Sequence, residues 1–98
     1  MRVPAPARGP SVGAEVALID RARSLARARP REALALLDEH STTFPEGVLR
    51  DEAAVVRVEA LLAAGLRGEA ERFAAPFVRD RAGAPIARRM MMLLGVMN

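Results

Sequence analysis

The chain has 98 residues, enough for one small domain, and carries 15 basic and 12 acidic residues with a formal net charge of +3. Cysteine is absent, which excludes disulfides, thiolate metal sites and cysteine nucleophiles. No apolar run reaches the ~20 residues that a membrane span needs, and no glycine-rich phosphate loop, nucleophile elbow or metal-ligand spacing occurs. We therefore expect no catalysis, no metal and no cofactor.

The first 13 residues contain three prolines and two glycines, with none of the apolar core of a secretory signal. This composition predicts a flexible leader at 1–13 before a helical domain at 14–98. Without a signal, a cytoplasmic location is the default expectation, and a periplasmic one follows if the chain is part of a longer, membrane-anchored protein.

The first half of the domain predicts three helices. Apolar residues at three-and-four spacing favour an amphipathic helix from about Ala14 to Arg29. A second helix is expected from about Arg31 to Thr43, because Pro30 before it suits a helix start. The third, about Val48 to Ala64, carries two apolar rows, one of Leu49, Ala53, Val56 and Ala60 and one of Val55, Val58 and Leu62. Such a helix requires neighbours on two sides.

Two more helices are predicted in the second half. The fourth extends from about Gly68 to Arg81 and contains Pro76, which predicts a kink or break there because proline removes a backbone hydrogen bond. The fifth extends from Ile86 to about Val96. The predicted fold class is therefore all-α, with two antiparallel helical hairpins followed by a C-terminal helix.

A spacing of 37 residues relates the first, third and fifth of these helices. The matched sets are Val12, Leu49 and Ile86; Val16, Ala53 and Met90; and Ile19, Val56 and Leu93. The same offset matches Glu32 with Glu69 and Ala33 with Ala70. Recurrence of two different helices is typical of a helical-hairpin repeat, in which each unit buries its apolar face against its neighbours.

The segment Gly65–Ala70 resembles the turn of a tetratricopeptide repeat, in which a glycine closes the first helix and an alanine five residues later begins the packing face of the second. The segment Ala28–Ala33 repeats it. Phe44–Gly47 and Arg81–Pro85 resemble connections in the tetratricopeptide-like domains of bacterial envelope and outer-membrane assembly lipoproteins. The resemblance implies a right-handed α-α superhelix and an adaptor role, with a partner held in a groove lined by the first helix of each repeat.

The predicted function is thus that of a protein-protein interaction module, an adaptor or scaffold whose partner is another protein or peptide. The candidate partner-binding residues are Val12, Val16, Leu49, Ala53 and Val56 along the groove, and Met91, Met92 and Leu94 on the last helix. The alternative is a homodimer formed through this methionine-rich helix, because it lacks the polar outer face expected of a terminal cap.

A weaker alternative is nucleic-acid binding through a row of arginines at 21, 23, 27, 29 and 31. The chain has no tyrosine or tryptophan for base stacking, and its three phenylalanines fall at predicted core positions, so the sequence favours a protein partner over nucleic acid. His40 is the sole histidine and is interpreted as a packing or surface residue. Asp51 and Glu52 are interpreted as helix-start residues.

Overall fold

The computed structural model describes residues 11–95, which form α-helices and no β-strand, so the all-α class is confirmed. The helices are α1 (Val12–Leu25), α2 (Pro30–Thr43), α3 (Arg50–Ala63), α4 (Arg67–Asp80) and α5 (Pro85–Leu94). Most of the predicted leader, residues 1–10, and the predicted end of the fifth helix at Val96 lie outside the described residues.

Local capping sets the ends of α1. The Ser11 hydroxyl accepts a hydrogen bond of 3.1 Å from the Ala14 N–H, so the helix begins at Val12, earlier than the predicted Ala14. The helix also ends earlier than predicted, at Leu25, because the chain then turns before Pro30. Residues 11–13, predicted as leader, thus form the cap and first turn of α1.

The prolines occupy two kinds of position, at a helix start or inside a helix. Pro30 and Pro85 occupy the first positions of α2 and α5, where no backbone N–H is needed. Pro76, in contrast, lies inside α4, which continues from Arg67 to Asp80, so of the predicted kink or break the structure excludes the break. Ala74 is buried in the core and Phe77 packs against it. We attribute the continuity to this packing on both sides of Pro76, which outweighs the lost hydrogen bond.

Helix α3 is the centre of the structure, as predicted from its two apolar rows. It contacts α1, α2, α4 and α5. One row packs with α1 and α2; its buried members are Ala53, Val56 and Ala60. The other row packs with α4 and α5: Val55 and Val58 are buried and Leu62 is half-buried, and Ala54 and Leu61 are buried beside them. Val56 and Val58 are 1% and 0% exposed, so neither flank of α3 is open to water.

The helices that share the 37-residue spacing form one layer, since α3 contacts both α1 and α5. Helix α2 packs on α1 and α3, and helix α4 packs on α3 and α5. Within the described residues α2 and α4 have no contact with each other. A groove therefore opens between α2 and α4, with α3 as its floor.

Candidate functional site

This groove, which we call the aromatic groove, has a volume of about 280 Å³. Its lining residues are Leu37, His40, Ser41, Phe44, Pro45, Arg50, Ala53, Ala54, Arg57, Phe73 and Phe77. They include all three phenylalanines and the sole histidine of a chain that has no tyrosine or tryptophan. The aromatic side chains of the protein are therefore gathered on one concave surface.

The groove is shaped by residue size. Its floor contains Ala53 and Ala54, whose side chains end at Cβ and leave space between the two flanking helices. One wall carries Phe73 and Phe77, which are one turn apart on α4 with ring centroids 5.5 Å apart. The sequence placed all three phenylalanines in the core, but only Phe44 is buried, at 8% exposed, while the two on α4 are half-buried.

Positive charge borders the groove. The Arg57 guanidinium lies 5.7 Å from the centroid of the Phe73 ring, a cation-π arrangement, and donates a hydrogen bond of 2.8 Å to the Asp38 carboxylate. Arg50, in the first turn of α3, is exposed. The lining contains these two arginines and no aspartate or glutamate.

A buried pair of polar side chains lies behind the groove. Glu15 of α1 and His40 of α2 are 2% and 3% exposed, with His40 Nε2 at 2.8 Å from Glu15 Oε2. An ionised carboxylate only accepts hydrogen bonds, so the proton lies on His40 Nε2. His40 also stacks on Phe44, with 5.5 Å between ring centroids, so the pair supports the groove wall.

The same carboxylate holds the start of α3. The backbone N–H groups of Val48 and Leu49 donate to Glu15 at 3.2 and 2.9 Å. Leu49, at the N-cap of α3, has no side chain that can cap the helix, and Glu15 replaces such a cap from another helix. One carboxylate thus ties together α1, α2 and α3.

Gly47 makes this approach possible. A Cβ atom added at Gly47 would overlap Oε2 of Glu15 and lie 2.6 Å from its Cδ. Glycine is required here because the carboxylate passes directly over the backbone.

The next repeat lacks this arrangement. The 37-residue offset matches Glu15 with Glu52, but it places Phe77 at the position of His40 and Pro85 at the position of Val48. Two of the donors are therefore missing. Glu52 instead pairs with Arg23 of α1 and Arg89 of α5 at the surface, at 3.0 and 3.3 Å.

Burial alone would raise the pKa of Glu15, but the hydrogen bonds from His40, Leu49 and Val48 outweigh it and lower the pKa below its usual value. The pKa of Asp51 is lowered chiefly by its hydrogen bonds to Arg81, at 2.7 and 2.9 Å. Both carboxyl groups are thus ionised in the folded protein at neutral pH.

Acid should weaken the contribution of Glu15. A carboxyl group with a depressed folded pKa stabilises the fold above its unfolded pKa of ~4.3, and this stabilisation is lost as the pH falls towards the folded value. We expect the difference in unfolding free energy between wild type and Glu15→Gln to shrink from about pH 7 to about pH 3. Urea denaturation of both proteins across this pH range measures the difference. A difference that stays constant would contradict the depressed pKa of Glu15.

The candidate residues of the first-helix groove lie in three environments. Val12 and Val16 are 58% and 40% exposed on α1, and Leu49 is half-buried. Ala53 and Val56 are core residues, at 9% and 1% exposed. Ala53 nevertheless lines the aromatic groove. Val56 offers no surface to a partner, because its side chain packs against α1 and α2.

On α5, Met92 is 65% exposed, Met91 is half-buried and Leu94 is buried in the core. In the described residues α1 and α5 do not contact each other. Met91 and Met92 on α5 therefore form a surface separate from that of Val12 and Val16 on α1.

The arginine row is exposed along α1, the following turn and the first turn of α2. Arg23 pairs with Asp20 and Glu52, and Arg29 pairs with Glu32. These carboxylates partly neutralise the row, which reduces its attraction for phosphates.

Neither a membrane span nor a metal cluster is found in residues 11–95. None of the five helices combines the length and the apolar character needed to cross a bilayer. No three histidine, aspartate or glutamate side chains of this region are grouped so that they could hold a metal ion.

Comparisons of the chain with protein-family models, curated proteins and solved structures find no match.

Proposed function

We propose that this chain is a small helical-repeat module that binds another protein and has no catalytic role of its own. The observation that carries the proposal is the aromatic groove, where phenylalanine rings remain half-buried beside two arginines. Aromatic side chains and arginine are the residues most enriched in protein interfaces. A solvent-facing surface made of them is better suited to a partner than to water.

We also propose that the module is tetratricopeptide-like. The layer of α1, α3 and α5, with α2 and α4 packed against it, supports this arrangement. The proposed site differs from the one that the resemblance implies, because it lies between the second helices of the two hairpins. On the first-helix side, Glu52 bridges Arg23 and Arg89 across the layer, and this ion-pair network occupies part of that surface.

A pair of substitutions tests the groove. Ser41 lines it, whereas the adjacent Thr42 does not, and both are exposed residues whose hydroxyls donate at 3.2 Å to a carbonyl one turn earlier. Ser41→Trp should fill the groove and lower the capture of a partner from native extract by about tenfold or more, equivalent to ~1.4 kcal/mol. Thr42→Trp should capture as wild type does.

Quantitative mass spectrometry of the captured proteins measures this effect. The proposal requires at least one protein that is retained by wild type and Thr42→Trp and lost from Ser41→Trp. Equal retention by all three proteins, or no retained protein at all, would contradict it.

Self-association through α5 is a second candidate function, favoured by the exposure of Met92. A large apolar side chain that is 65% exposed on α5 is suited to contact a second copy of the chain. Leu94 is unsuitable as a test position, because at 6% exposed its replacement by a charge would disrupt the core.

On this second proposal, Met92→Glu should convert a dimer to a monomer and halve the mass measured by light scattering. Val48→Glu is the matched control, since Val48 is 71% exposed and lies before α3, outside α5. A wild-type protein that is already monomeric at high concentration would exclude the dimer.

A further inference from the structure

We propose that the aromatic groove recognises a peptide segment that combines one or two apolar side chains with an acidic residue, and that Arg50 binds the carboxylate of that residue. This inference rests on the proposed function and specifies the chemistry of the partner.

The size of the groove limits its occupant. A volume of about 280 Å³ lies just below the range for ligand pockets, which is ~300–1,000 Å³. It accommodates a few side chains, as a peptide segment would offer, and is too small to bury a large cofactor. The phenylalanine rings and alanine floor select apolar side chains.

The charged residues of the groove indicate which charge a bound peptide should carry. Arg50 and Arg57 are its charged lining residues, and no carboxylate lines it. His40 adds no free donor at Nε2, because Glu15 already accepts from that atom. An apolar peptide with an acidic residue would complement this surface, whereas a basic peptide would be repelled.

Arg50 is the arginine that is free to bind. The Arg57 guanidinium is already engaged by Asp38 and by the Phe73 ring. None of the ion pairs within residues 11–95 includes Arg50. Asp51, its neighbour along the chain, accepts hydrogen bonds from Arg81 at both oxygens and attracts Arg50 electrostatically, without a hydrogen bond between the two side chains. A carboxylate from a partner would therefore give Arg50 a charge-assisted hydrogen bond that the protein itself does not provide.

Selection from a displayed library of random peptides tests this assignment without a known partner. Wild-type protein should enrich sequences in which Asp or Glu stands close to Leu, Phe or another large apolar residue. Binding of a selected peptide, followed by fluorescence anisotropy, should weaken about tenfold in Arg50→Gln, and further in Arg50→Glu.

Arg72→Glu is the matched control, because Arg72 is an exposed arginine of α4 that does not line the groove. It should bind the selected peptide as wild type does, and circular dichroism should show that all variants remain helical. Binding should also weaken at high salt.

The outcomes separate the two proposals. Enrichment of apolar peptides without acidic residues, lost in Ser41→Trp but unchanged in Arg50→Gln, would overturn the acidic preference and leave the groove as a binding site. Enrichment of basic peptides would also overturn the acidic preference. If no selected peptide depends on Ser41 or Arg50, both the preference and the groove are wrong.

Discussion

Replacing Glu15 with alanine should lower the free energy of unfolding by about 3 kcal/mol, because it leaves three buried or half-buried donors without their hydrogen-bond acceptor. His40, which is 3% exposed, would lose the carboxylate that accepts from its Nε2, and the N–H groups of Val48 and Leu49 would lose their acceptor. This loss is a large part of the ~5–15 kcal/mol by which small domains are stable. Urea denaturation followed by circular dichroism measures it.

The repeat supplies the matched control for this substitution. Glu52 stands at the equivalent position, yet its side chain is 32% exposed and its partners are exposed arginines. Surface ion pairs contribute little, so Glu52→Ala should cost less than about 1 kcal/mol. Equal, small losses in both variants would contradict the role of Glu15 as the tie between α1, α2 and α3.

Replacing Gly47 with alanine should destabilise the protein by about 2 kcal/mol, the typical cost of forcing a methyl group into an occupied space. The new Cβ would overlap the Glu15 carboxylate and displace it from its donors. The same unfolding experiment measures the effect. Ala84→Gly exchanges the same two residue types at the equivalent repeat position and should change stability by less than about 1 kcal/mol.

A double variant identifies the cause of the Gly47 effect. If the added methyl group destabilises by displacing Glu15, then Gly47→Ala should cost almost nothing further in a Glu15→Ala background, because the obstructing carboxylate is gone. Additive losses would show that Gly47 is required for some other reason.

The sequence predicted the elements that depend on local periodicity. The two apolar rows of α3 predicted neighbours on two sides, and Val56 and Val58 are indeed buried. Capping and packing at individual residues were less predictable. The extension of α1 to Val12 depends on the Ser11 cap, and the continuity of α4 through Pro76 depends on contacts with α3 that its own sequence does not reveal.

The burial of the Glu15 carboxylate could not be predicted from composition, because it depends on three donors that come from two other segments of the chain. One signal was present: Glu15 is one turn before Ile19 on the inward face of α1, so the helical period places it in the core. The 37-residue spacing even matched it with Glu52. The residues that differ between the two repeats determine which of these glutamates is buried, and that requires the fold.

The aromatic groove could not be predicted from the sequence either. The positions of Phe73 and Phe77 on one face of α4 were predictable from their spacing, which favoured a core role. Their partial exposure arises because α2 and α4 do not meet over α3. The separation of two helices that are not consecutive depends on packing angles, and these are set by the whole assembly.

Amide hydrogen exchange measures most directly whether α3 is the shared core of the stack. Because α3 contacts four other helices, its amides from Val55 to Leu61 should exchange slowest and only through global unfolding. Amides of α1 and α5, which each contact two other helices, should exchange faster through local opening. Amides in α3 that exchange as fast as those of α1 and α5 would contradict this account.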